Sequence, residues 1–301
     1  MDVAVTGASG FIGTALVGAL TDAGHQVRRL VRRPPSAPDE VRWDPEAGTI
    51  DTAGLAGVDA VVNLAGEGIA SRRWTDEQKR RIRESRTTST RLIAETMVGL
   101  DPHPAVLLSG SAIGYYGHRG DEELTEASPP GTDFLAGVCV DWEAAVQPAV
   151  DAGVRTACLR TGIVLDPHGG ALARMLPLFR LGVGGPFGRG HQWWSWISLA
   201  DEVGAILHLL SAGVAGAVNL TAPQPEPNAE LTRTLGRVLS RPALVPIPRI
   251  GPSVLLGSEL AQSLLYDSIR VVPAALTESG YTFRHPDLET ALRAMLDKPG
   301  A

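Results

Sequence analysis

The feature that most constrains the fold of this chain is a glycine-rich turn close to its first residue. A short apolar strand covers residues 3–6, and a helical pattern covers residues 12–23. Between them, the first glycine permits a tight bend, the second lets backbone amides approach a pyrophosphate, and the third lets helix and strand pack closely. The pattern predicts a dinucleotide at the helix N-terminus; the alternative is a turn that serves packing alone. The predicted contacts are Gly7, Ser9, Gly10, Phe11, Ile12 and Gly13.

The end of the second predicted strand favours NADP(H) over NAD(H). An acidic side chain at this position would accept hydrogen bonds from the ribose 2′-hydroxyl, whereas an arginine would meet a 2′-phosphate. The strand at residues 26–31 is followed by Arg32 and Arg33, and the first acidic residue after it is Asp39. We therefore predict NADP as the cofactor, with Arg32 and Arg33 at the 2′-phosphate. The alternative is that these arginines only solvate the surface.

Composition excludes several classes of protein. The 301 residues are 44% hydrophobic and 20% charged, which is typical of a globular chain with one large domain or two modest ones. The formal net charge of −6 is spread along the sequence, so we expect no nucleic-acid partner. No apolar run reaches the roughly 18 residues of a membrane span, and the chain opens directly with a strand. We therefore expect neither a membrane anchor nor a signal peptide.

The two cysteines indicate a reducing compartment. Cys139 and Cys158 lie in apolar surroundings, and no histidine follows either of them at a spacing typical of metal ligands. This pattern argues against a disulfide framework and against a zinc site. We therefore expect a cytoplasmic protein without a bound metal.

In the first half of the chain, short β-branched segments alternate with helical segments, which is the pattern of βαβ units around a parallel sheet. The predicted strands cover residues 3–6, 26–31, 59–65, 105–109, 155–165 and 217–220. The predicted helices cover residues 12–23, 76–98, 134–150, 201–211, 228–239 and 286–296.

These elements predict an α/β fold, a Rossmann-type doubly wound parallel sheet with a smaller C-terminal substrate lobe. The NADP-binding domain covers residues 1–165, and residues 201–221 complete its sheet. After residue 165 the sequence becomes rich in glycine and tryptophan, so residues 166–240 are predicted to supply segments of the substrate lobe. Residues 241–301 are predicted to form a small C-terminal domain.

Several motifs resemble one known family. Asn-Leu-Ala-Gly-Glu at residues 63–67 and Ser-Gly-Ser-Ala-Ile-Gly-Tyr-Tyr-Gly at residues 109–117 resemble the extended short-chain dehydrogenases/reductases, the nucleotide-sugar epimerase/dehydratase superfamily. The chain more closely resembles its atypical "epimerase family protein" branch, some of whose members are labelled cell-division-inhibitor homologues. The resemblance covers residues 1 to about 297, including the C-terminal domain peculiar to that branch. The motifs shared with the branch are Arg72-Arg73-Trp74, Lys79, Ser85-Arg86, residues 160–165, Gly169-Gly170 and residues 196–201.

The resemblance implies a doubly wound sheet that binds NADP, with a C-terminal lobe that closes over the nicotinamide. It also implies that Leu64, Ala65 and Gly66 line the cofactor, because they follow the strand that leads into the motif. Arg86, on the next helix, would approach the adenosine end of the cofactor. The neighbouring arginines at residues 80–83 are equally compatible with a solvated helix face.

The resemblance further implies an acid–base pair that this sequence lacks. In typical relatives a tyrosine moves a proton, a lysine four residues later lowers its pKa, and a serine polarises the same substrate oxygen. Residues 134–143, in the helix where the pair is expected, read Phe-Leu-Ala-Gly-Val-Cys-Val-Asp-Trp-Glu. None of the four tyrosines has a lysine at the fourth following position: Tyr115 is followed there by Arg119, Tyr116 by Gly120, Tyr266 by Arg270 and Tyr281 by His285.

Three residues remain as candidates for catalysis. Ser111 stands at a position that resembles the polarising serine. Tyr115 and Tyr116 follow it at the C-terminal end of a predicted strand, where ligands bind in such sheets. The chain has two lysines, Lys79 and Lys298, and the sequence places neither beside these tyrosines. We therefore predict Ser111, Tyr115 and Tyr116 as the catalytic residues.

Two functions follow from these observations. The first is an NADP(H)-dependent oxidoreductase or epimerase-like enzyme that acts on a small molecule with an unusual proton donor. The second is a non-catalytic NADP(H)-binding sensor or regulatory protein. The missing tyrosine–lysine pair favours the sensor. The tryptophans at residues 193–196 favour the enzyme, because they predict a pocket for a small molecule.

Overall fold

The computed structural model describes residues 1–296, so Lys298 lies outside the described residues. Residues 1–296 contain fourteen β-strands and eleven α-helices. The strands are β1 (Asp2–Thr6), β2 (Gln26–Val31), β3 (Glu40–Asp44), β4 (Thr49–Ile50), β5 (Ala60–Asn63), β6 (Val106–Ala112), β7 (Glu123–Leu124), β8 (Arg155–Thr161), β9 (Ile163–Asp166), β10 (Trp193–Trp194), β11 (Trp196–Ser198), β12 (Gly216–Leu220), β13 (Glu226–Pro227) and β14 (Arg270–Val271).

The helices lie between these strands and at the C-terminal end. They are α1 (Phe11–Asp22), α2 (Asp76–Val98), α3 (Phe134–Ala144), α4 (Gln147–Asp151), α5 (Gly170–Arg180), α6 (Leu199–Ser211), α7 (Asn228–Val238), α8 (Ile250–Leu256), α9 (Ser258–Ala261), α10 (Ala274–Glu278) and α11 (Leu288–Leu296). No helix in residues 1–296 is long and apolar enough to cross a membrane.

Eight strands form one sheet in the order β12-β8-β6-β5-β1-β2-β3-β4. All neighbours pair in parallel except β3 and β4, which pair antiparallel at the edge. The strand order reverses at β1, because the chain first builds outward to β4 and then crosses to β5 on the other side. This order confirms the predicted Rossmann-type doubly wound fold. In such sheets the ligand crevice lies at the reversal, outside the carboxyl ends of the strands.

Apolar clusters cover both faces of this sheet. On one face, α1 and α6 pack against alternate residues of the central strands, for example Val3, Val5 and Leu159. On the other face, α2 and α4 cover the residues between them, for example Ala4 and Cys158. Parallel strands that are buried on both faces read as continuous apolar runs, which is why β1, β5 and β6 were recognisable in the sequence.

The remaining strands belong to a smaller lobe at the carboxyl edge of the sheet. β9 pairs in parallel with β11, β10 pairs antiparallel with β13, and β7 pairs in parallel with β14. A separate apolar cluster joins α5, α7 and α11 around Phe179 and Trp196. This cluster draws on residues from both sides of position 240. The domain border predicted at that position stays a prediction.

The structure corrects two predicted elements and adds two strands that were not predicted. The helix predicted over residues 134–150 is two helices, α3 and α4, and Pro148 stands in the first turn of the second. The strand predicted over residues 155–165 divides at Gly162, where a Cβ would lie 2.6 Å from the carbonyl oxygen of Ser195. The chain leaves the main sheet at that glycine and pairs with β11 instead. Strands β3 and β4 had no prediction, because their residues carry no apolar alternation long enough to recognise.

Helix α1 offers a matched test of close packing. A Cβ on Gly13 would lie 2.1 Å from the carbonyl oxygen of Gly7, whereas a Cβ on Gly18 would have no heavy atom within 4 Å. We expect Gly13→Ala to lower the free energy of unfolding by about 1–3 kcal/mol. Gly18→Ala should raise it by about 0.5–1 kcal/mol, because alanine loses less backbone entropy in a helix. Urea denaturation of both variants measures this, and equal effects would contradict the close approach at Gly13.

Candidate functional site

The glycine turn holds the start of α1 beside the end of β5. Gly7 has a φ of +64°, and a Cβ there would lie 2.7 Å from the carbonyl oxygen of Leu64. Gly10 is the N-cap residue of α1 and makes no side-chain capping bond, and the first turn of the helix carries no acidic residue. Ser9 and Gly10 are exposed. The first-turn N–H groups thus form an uncapped, accessible cradle for an anion, and the residues present fit the pyrophosphate of a dinucleotide.

The side chains of Phe11 and Ile12 lie mainly against protein. Both pack at the edge of the core under α1. The ring of Phe11 lies so close to Gly169 that a Cβ on that glycine would be 2.3 Å from it. The glycine pair at residues 169–170 therefore leaves room for Phe11, which fixes the turn against the N-terminus of α5. The backbone of these residues, more than their side chains, faces the cradle.

Of the arginines at the end of β2, one is without a carboxylate partner in the described part of the chain. Arg29 makes a two-point ion pair with Asp39, with distances of 2.6 and 3.0 Å, which lowers the pKa of Asp39. Arg33 makes a two-point ion pair with Glu40, which holds the pKa of Glu40 at about 2. Arg32 is exposed and has no hydrogen-bond or ion-pair partner among residues 1–296. Arg32 is therefore better placed than Arg33 to meet a free phosphate.

A buried hydroxyl joins the glycine turn to the loop after β5. The hydroxyl of Thr6 donates to Asn63 Oδ1 at 2.6 Å and accepts from the backbone N–H groups of Leu64 and Ala65 at 3.0 and 3.1 Å. The amide of Asn63 in turn donates to Thr90 on α2 at 2.8 Å. The residues predicted to line the cofactor are thus held beside the anion cradle.

The Arg86 side chain packs between the loop after β5 and α3. A Cβ on Gly66 would be 3.3 Å from its guanidinium carbon, which places the side chain against the loop after β5. The guanidinium lies 5.0 Å from the centre of the Trp142 ring and donates to the carbonyl of Ile82 at 3.0 Å. Burial lowers the pKa of Arg86. The side chain also lines a cavity at the carboxyl ends of β6 and β8. Its predicted place near the adenosine end of the cofactor stays a prediction.

A buried ion pair organises the end of β6 and β8. Arg160 and Glu143 form two hydrogen bonds, both of 2.8 Å, and their side chains are 4% and 16% exposed. Ser111 donates its hydroxyl to Glu143 Oε1 at 2.7 Å. Arg160 also donates to the hydroxyl of Tyr116 at 3.0 Å, and that hydroxyl donates to Asn219 Oδ1 at 2.7 Å.

This network corrects one predicted catalytic residue and restricts another. Tyr116 is fully buried, both of its hydrogen-bond partners are protein atoms, and burial raises its pKa. Because its hydroxyl does not reach the cavity, the geometry contradicts a catalytic role for Tyr116. Ser111 is close to the cavity, but its hydroxyl proton points to Glu143. The ring of Tyr115 lies over the guanidinium of Arg160, 3.4 Å from ring centre to carbon, so it packs on the same ion pair.

A cavity of about 200 Å³ lies next to this network, at the carboxyl ends of β6 and β8. Its wall on the α3 side is apolar. The residues that share this wall are Leu135, Val138, Cys139 and Trp142. Burial raises the pKa of Cys139 to about 12, so the thiol stays protonated at neutral pH and is not a ready nucleophile. Helix α3, where a tyrosine and a lysine were expected, thus contributes to the cavity lining no side chain that transfers protons at neutral pH.

The roof of the cavity comes from the C-terminal part of the chain. Ser263, Leu264 and Asp267 line it, opposite Ile69 from the loop before α2. Arg73 donates to the backbone carbonyl of Val254 in α8. Lys79 forms an ion pair of 2.6 Å with Glu259 in α9. Arg73 before α2 and Lys79 in its first turn thus tie the roof to this helix.

Glu202 is a buried carboxyl group near the cavity that the sequence did not indicate. It follows Asp201 in the first turn of α6, where an acidic residue looks like an ordinary helix-start residue. In the structure Glu202 is fully buried, accepts a hydrogen bond from Thr161 at 2.8 Å, and has no partner for Oε2 among residues 1–296. Burial raises the pKa of Glu202 to about 8. The carboxyl is therefore largely protonated at neutral pH, directly behind a residue that lines the cavity.

Two family models match the sequence. One, described as the NAD dependent epimerase/dehydratase family, matches residues 3–221, and one, described as a domain of unknown function (DUF1731), matches residues 247–295. "Epimerase family protein Mb2239" of Mycobacterium bovis is 43% identical over 299 residues, which cover 99% of this chain and 98% of the relative. Human "epimerase family protein SDR39U1" is 37% identical over 300 residues, which cover 98% of this chain and all of the relative.

Solved structures of other proteins are similar to this chain over 98% of its length. The crystal structure of human epimerase family protein SDR39U1 (isoform 2) with NADPH has a TM-score of 0.91 and 36% identity, covering 98% of this chain and 99% of that one. A nucleoside-diphosphate sugar epimerase from Corynebacterium glutamicum has a TM-score of 0.79 and 38% identity, covering 98% of this chain and 58% of that one. UDP-glucose 4-epimerase from Thermotoga maritima, solved with UDP-glucose, has a TM-score of 0.75 at 18% identity, with 98% of this chain and 97% of that chain covered, and shares the fold.

The raised pKa of Glu202 predicts a pH-dependent stability. The unfolded chain releases this proton near pH 4.5, whereas the folded protein keeps it until about pH 8, so the free energy of unfolding falls as the pH rises through this window. Glu202→Gln is neutral at both ends of the window. We expect the free energy of unfolding of the variant, relative to that of wild type, to increase by about 2–4 kcal/mol from pH 5 to pH 8. Denaturant titrations at both pH values measure the gain, with exposed Glu84→Gln as the control; the same difference at both pH values would contradict it.

Proposed function

This chain belongs to the NAD-dependent epimerase/dehydratase family, and from that premise we propose that it binds NADP(H) at the carboxyl edge of its sheet and serves an unidentified small-molecule substrate in the adjoining cavity. The observation that carries the proposal is the uncapped start of α1, held open beside β5 by the glycine turn. The human relative solved with NADPH supports it. When bound, NADPH supplies a hydride to a carbonyl carbon or, in reverse, the cofactor accepts one.

The chain contributes recognition of the 2′-phosphate. Arg29 and Arg33 are engaged by Asp39 and Glu40, so they neutralise acidic side chains that would otherwise repel a phosphate. Arg32 stands between them at the end of β2 with its guanidinium exposed. A guanidinium–phosphate contact has the geometry to distinguish NADP(H) from NAD(H), because only the former carries the phosphate.

Around the substrate, the chain contributes shape, exclusion of water and the charges of Arg86, Asp133 and Asp267, which line the cavity. The apolar wall on α3 and the roof from the C-terminal part limit the room for water beside a bound ligand. Arg86 offers a guanidinium that no carboxylate in residues 1–296 neutralises by an ion pair. Of the predicted catalytic residues, Ser111 keeps a proposed role as the group that polarises the substrate, and this role requires its hydroxyl to turn from Glu143.

A second candidate function is an NADP(H) sensor without catalysis. The observation that favours it is the ion pair of Glu143 with Arg160, which already uses the hydroxyls of Ser111 and Tyr116. In that case binding of the cofactor would itself be the signal. The roof, which Arg73 and Lys79 tie to α2, would transmit it.

We also propose that the protein works in the cytoplasm. Cys139 and Cys158 are both free and buried, and burial raises the pKa of each thiol to about 12. Buried thiols that stay unpaired are common in a reducing compartment.

NADPH titration of two arginine variants tests the cofactor proposal. Arg32→Ala should weaken NADPH binding about 10- to 100-fold, the effect of losing one charged hydrogen bond, and should leave NADH binding unchanged. Arg80→Ala, which removes the same charge from an exposed position on α2, is the control and should change neither affinity. Equal affinity of wild type for NADPH and NADH, or unchanged NADPH binding in Arg32→Ala, would contradict the proposal.

Turnover separates the enzyme from the sensor. Because α3 offers no acid–base pair, we expect oxidation of NADPH with small carbonyl compounds, or epimerisation of UDP-glucose, to be slower than in typical relatives by a factor of about 10²–10⁴. For the enzyme, Ser111→Ala should abolish the remaining turnover without changing NADPH affinity. For the sensor, wild type should show no turnover while NADPH protects α8 and α9 from hydrogen exchange. Turnover that survives Ser111→Ala and Tyr115→Phe would place the chemistry on other residues.

A further inference from the structure

The most exposed aliphatic side chains of the protein lie in two segments, residues 178–183 and residues 244–255. The large hydrophobic side chains in question are 46–80% exposed in these segments, whereas elsewhere in residues 1–296 none is more than 45% exposed. We call this set the aliphatic face. Its members are Leu178, Leu181, Val183, Leu244, Val245, Ile250, Val254 and Leu255.

Backbone contacts bring the two segments side by side. The N–H of Ile247 donates to the carbonyl of Pro186 at 2.7 Å. Arg241 Nε donates to the carbonyl of Arg180 at 3.1 Å. The loop after α5 therefore runs beside residues 241–247, and α8 begins directly after them along the chain. The aliphatic face is thus one surface, although its residues are far apart in the sequence.

The helices of the face are fixed in place, so the exposure belongs to the fold. α5 buries Phe179 in the apolar cluster that it shares with α7 and α11, and it leaves Leu178 exposed. α8 buries no side chain. Its backbone is nevertheless tied to the loop before α2, because Arg73 donates to the carbonyl of Val254. The aliphatic face is therefore a held, protruding surface.

The chain around the aliphatic face carries positive charge and no negative charge. Residues 167–200 and residues 231–258 contain no aspartate or glutamate, although 33 of the 301 residues of the chain are acidic. The first acidic residue after α8 is Glu259, which Lys79 engages at 2.6 Å. Five arginines of these two stretches are exposed and form no ion pair within residues 1–296: Arg174, Arg180, Arg189, Arg241 and Arg249. A basic surface thus surrounds the face on a chain whose net charge is −6.

This charge disfavours a second copy of the chain as the occupant of the face. Two copies that docked by the same face would bring five unpaired arginines against five others, and like charges across an interface repel. The composition also disfavours a protein partner. Protein interfaces centre on aromatic anchors that fill pockets, whereas every member of the aliphatic face is a leucine, isoleucine or valine that protrudes.

An anionic lipid surface matches both properties of the face. Aliphatic side chains that protrude enter the boundary between headgroups and acyl chains without a complementary pocket. Arginine side chains lay their apolar stems along such a boundary and hold the guanidinium at the level of the headgroups. Lipid phosphates there supply the negative charge that the protein leaves out of these two stretches.

We propose that the aliphatic face docks on a membrane surface that contains anionic phospholipids. The contact is peripheral: side chains of α5, α8 and the loop between residues 241 and 247 enter the interface, and no segment crosses the bilayer. The chain continues from α8 through α9 to Ser263 and Asp267, which line the roof of the cavity, so docking brings this roof next to the lipid. The proposal depends neither on the cofactor nor on the chemistry of the cavity.

Vesicle flotation with the full-length protein tests the proposal. Wild type should float with vesicles of phosphatidylcholine that contain about 30% phosphatidylglycerol, and it should stay in solution with vesicles of phosphatidylcholine alone, because the arginines require anionic headgroups. Raising the salt concentration from about 0.1 M to about 0.5 M should weaken binding to the anionic vesicles, because salt screens the contact.

Two matched pairs of variants locate the contact. Arg180→Gln should lower the partition coefficient about fivefold, the effect of one basic residue near an anionic surface, whereas Arg80→Gln on α2 should bind as wild type does. Val254→Ala should lower it about three- to tenfold, because two inserted methyl groups are lost. Val150→Ala removes the same atoms from an exposed position on α4 and should change nothing. All four side chains are exposed, so the unfolding temperatures should stay equal.

Several outcomes would overturn the proposal. These are absence of wild-type binding to the anionic vesicles, and binding by Arg180→Gln or by Val254→Ala that equals wild type. Sedimentation velocity then identifies the occupant. A dimer that Leu181→Ser together with Leu255→Ser dissociates, without vesicle binding, would assign the face to a second copy. A monomer that binds no vesicles would leave the face to an acidic protein partner.

Discussion

The candidate site depends on the buried ion pair between Glu143 and Arg160. It joins α3 to the end of β8 and, through Ser111 and Tyr116, to β6 and the turn that follows it. Removing one partner would leave a buried charge uncompensated, which typically costs about 3–5 kcal/mol. The pair therefore fixes α3 against the sheet. It also decides which groups remain available to a ligand, because the hydroxyls it engages point away from the cavity.

Hydrogen bonds connect the cofactor edge of the sheet to the cavity wall on α3. The glycine turn and the Thr6–Asn63 contact hold the start of α1 open at the reversal of the strand order, and Thr90 links this contact to Trp142 on α3. On the α3 side the cavity wall is apolar, and burial raises the pKa of Cys139 to about 12, so its thiol stays protonated. Arg86, Asp133 and Asp267 are the charged residues in the cavity lining, and Arg73 and Lys79 tie its roof to α2.

The sequence was informative where a residue is required by backbone geometry. Gly7 and Gly13 signalled the turn, because only glycine fits the close approaches that the structure shows. The sequence was less informative where function depends on distant partners. Arg33 looks equivalent to Arg32 until β3 brings Glu40 beside it, and the five residues of β3 are too few for their apolar alternation to be recognised. Tyr116 stands in a motif that suggests catalysis, but its burial depends on Arg160 and Asn219, which lie 44 and 103 residues away.

The central claim is that the cofactor reaches a cavity without an acid–base pair. A crystal structure of the NADPH complex tests it most directly. The account predicts that the nicotinamide lies against Leu135, Cys139 and Gly162, with Arg32 at the 2′-phosphate and the Ser111 hydroxyl still bonded to Glu143. It also predicts that no tyrosine hydroxyl or lysine ammonium lies within hydrogen-bond distance, about 3.2 Å, of a substrate oxygen that would face the ring. A tyrosine or lysine side chain that moves into that position on binding, or a nicotinamide outside the cavity, would contradict the account.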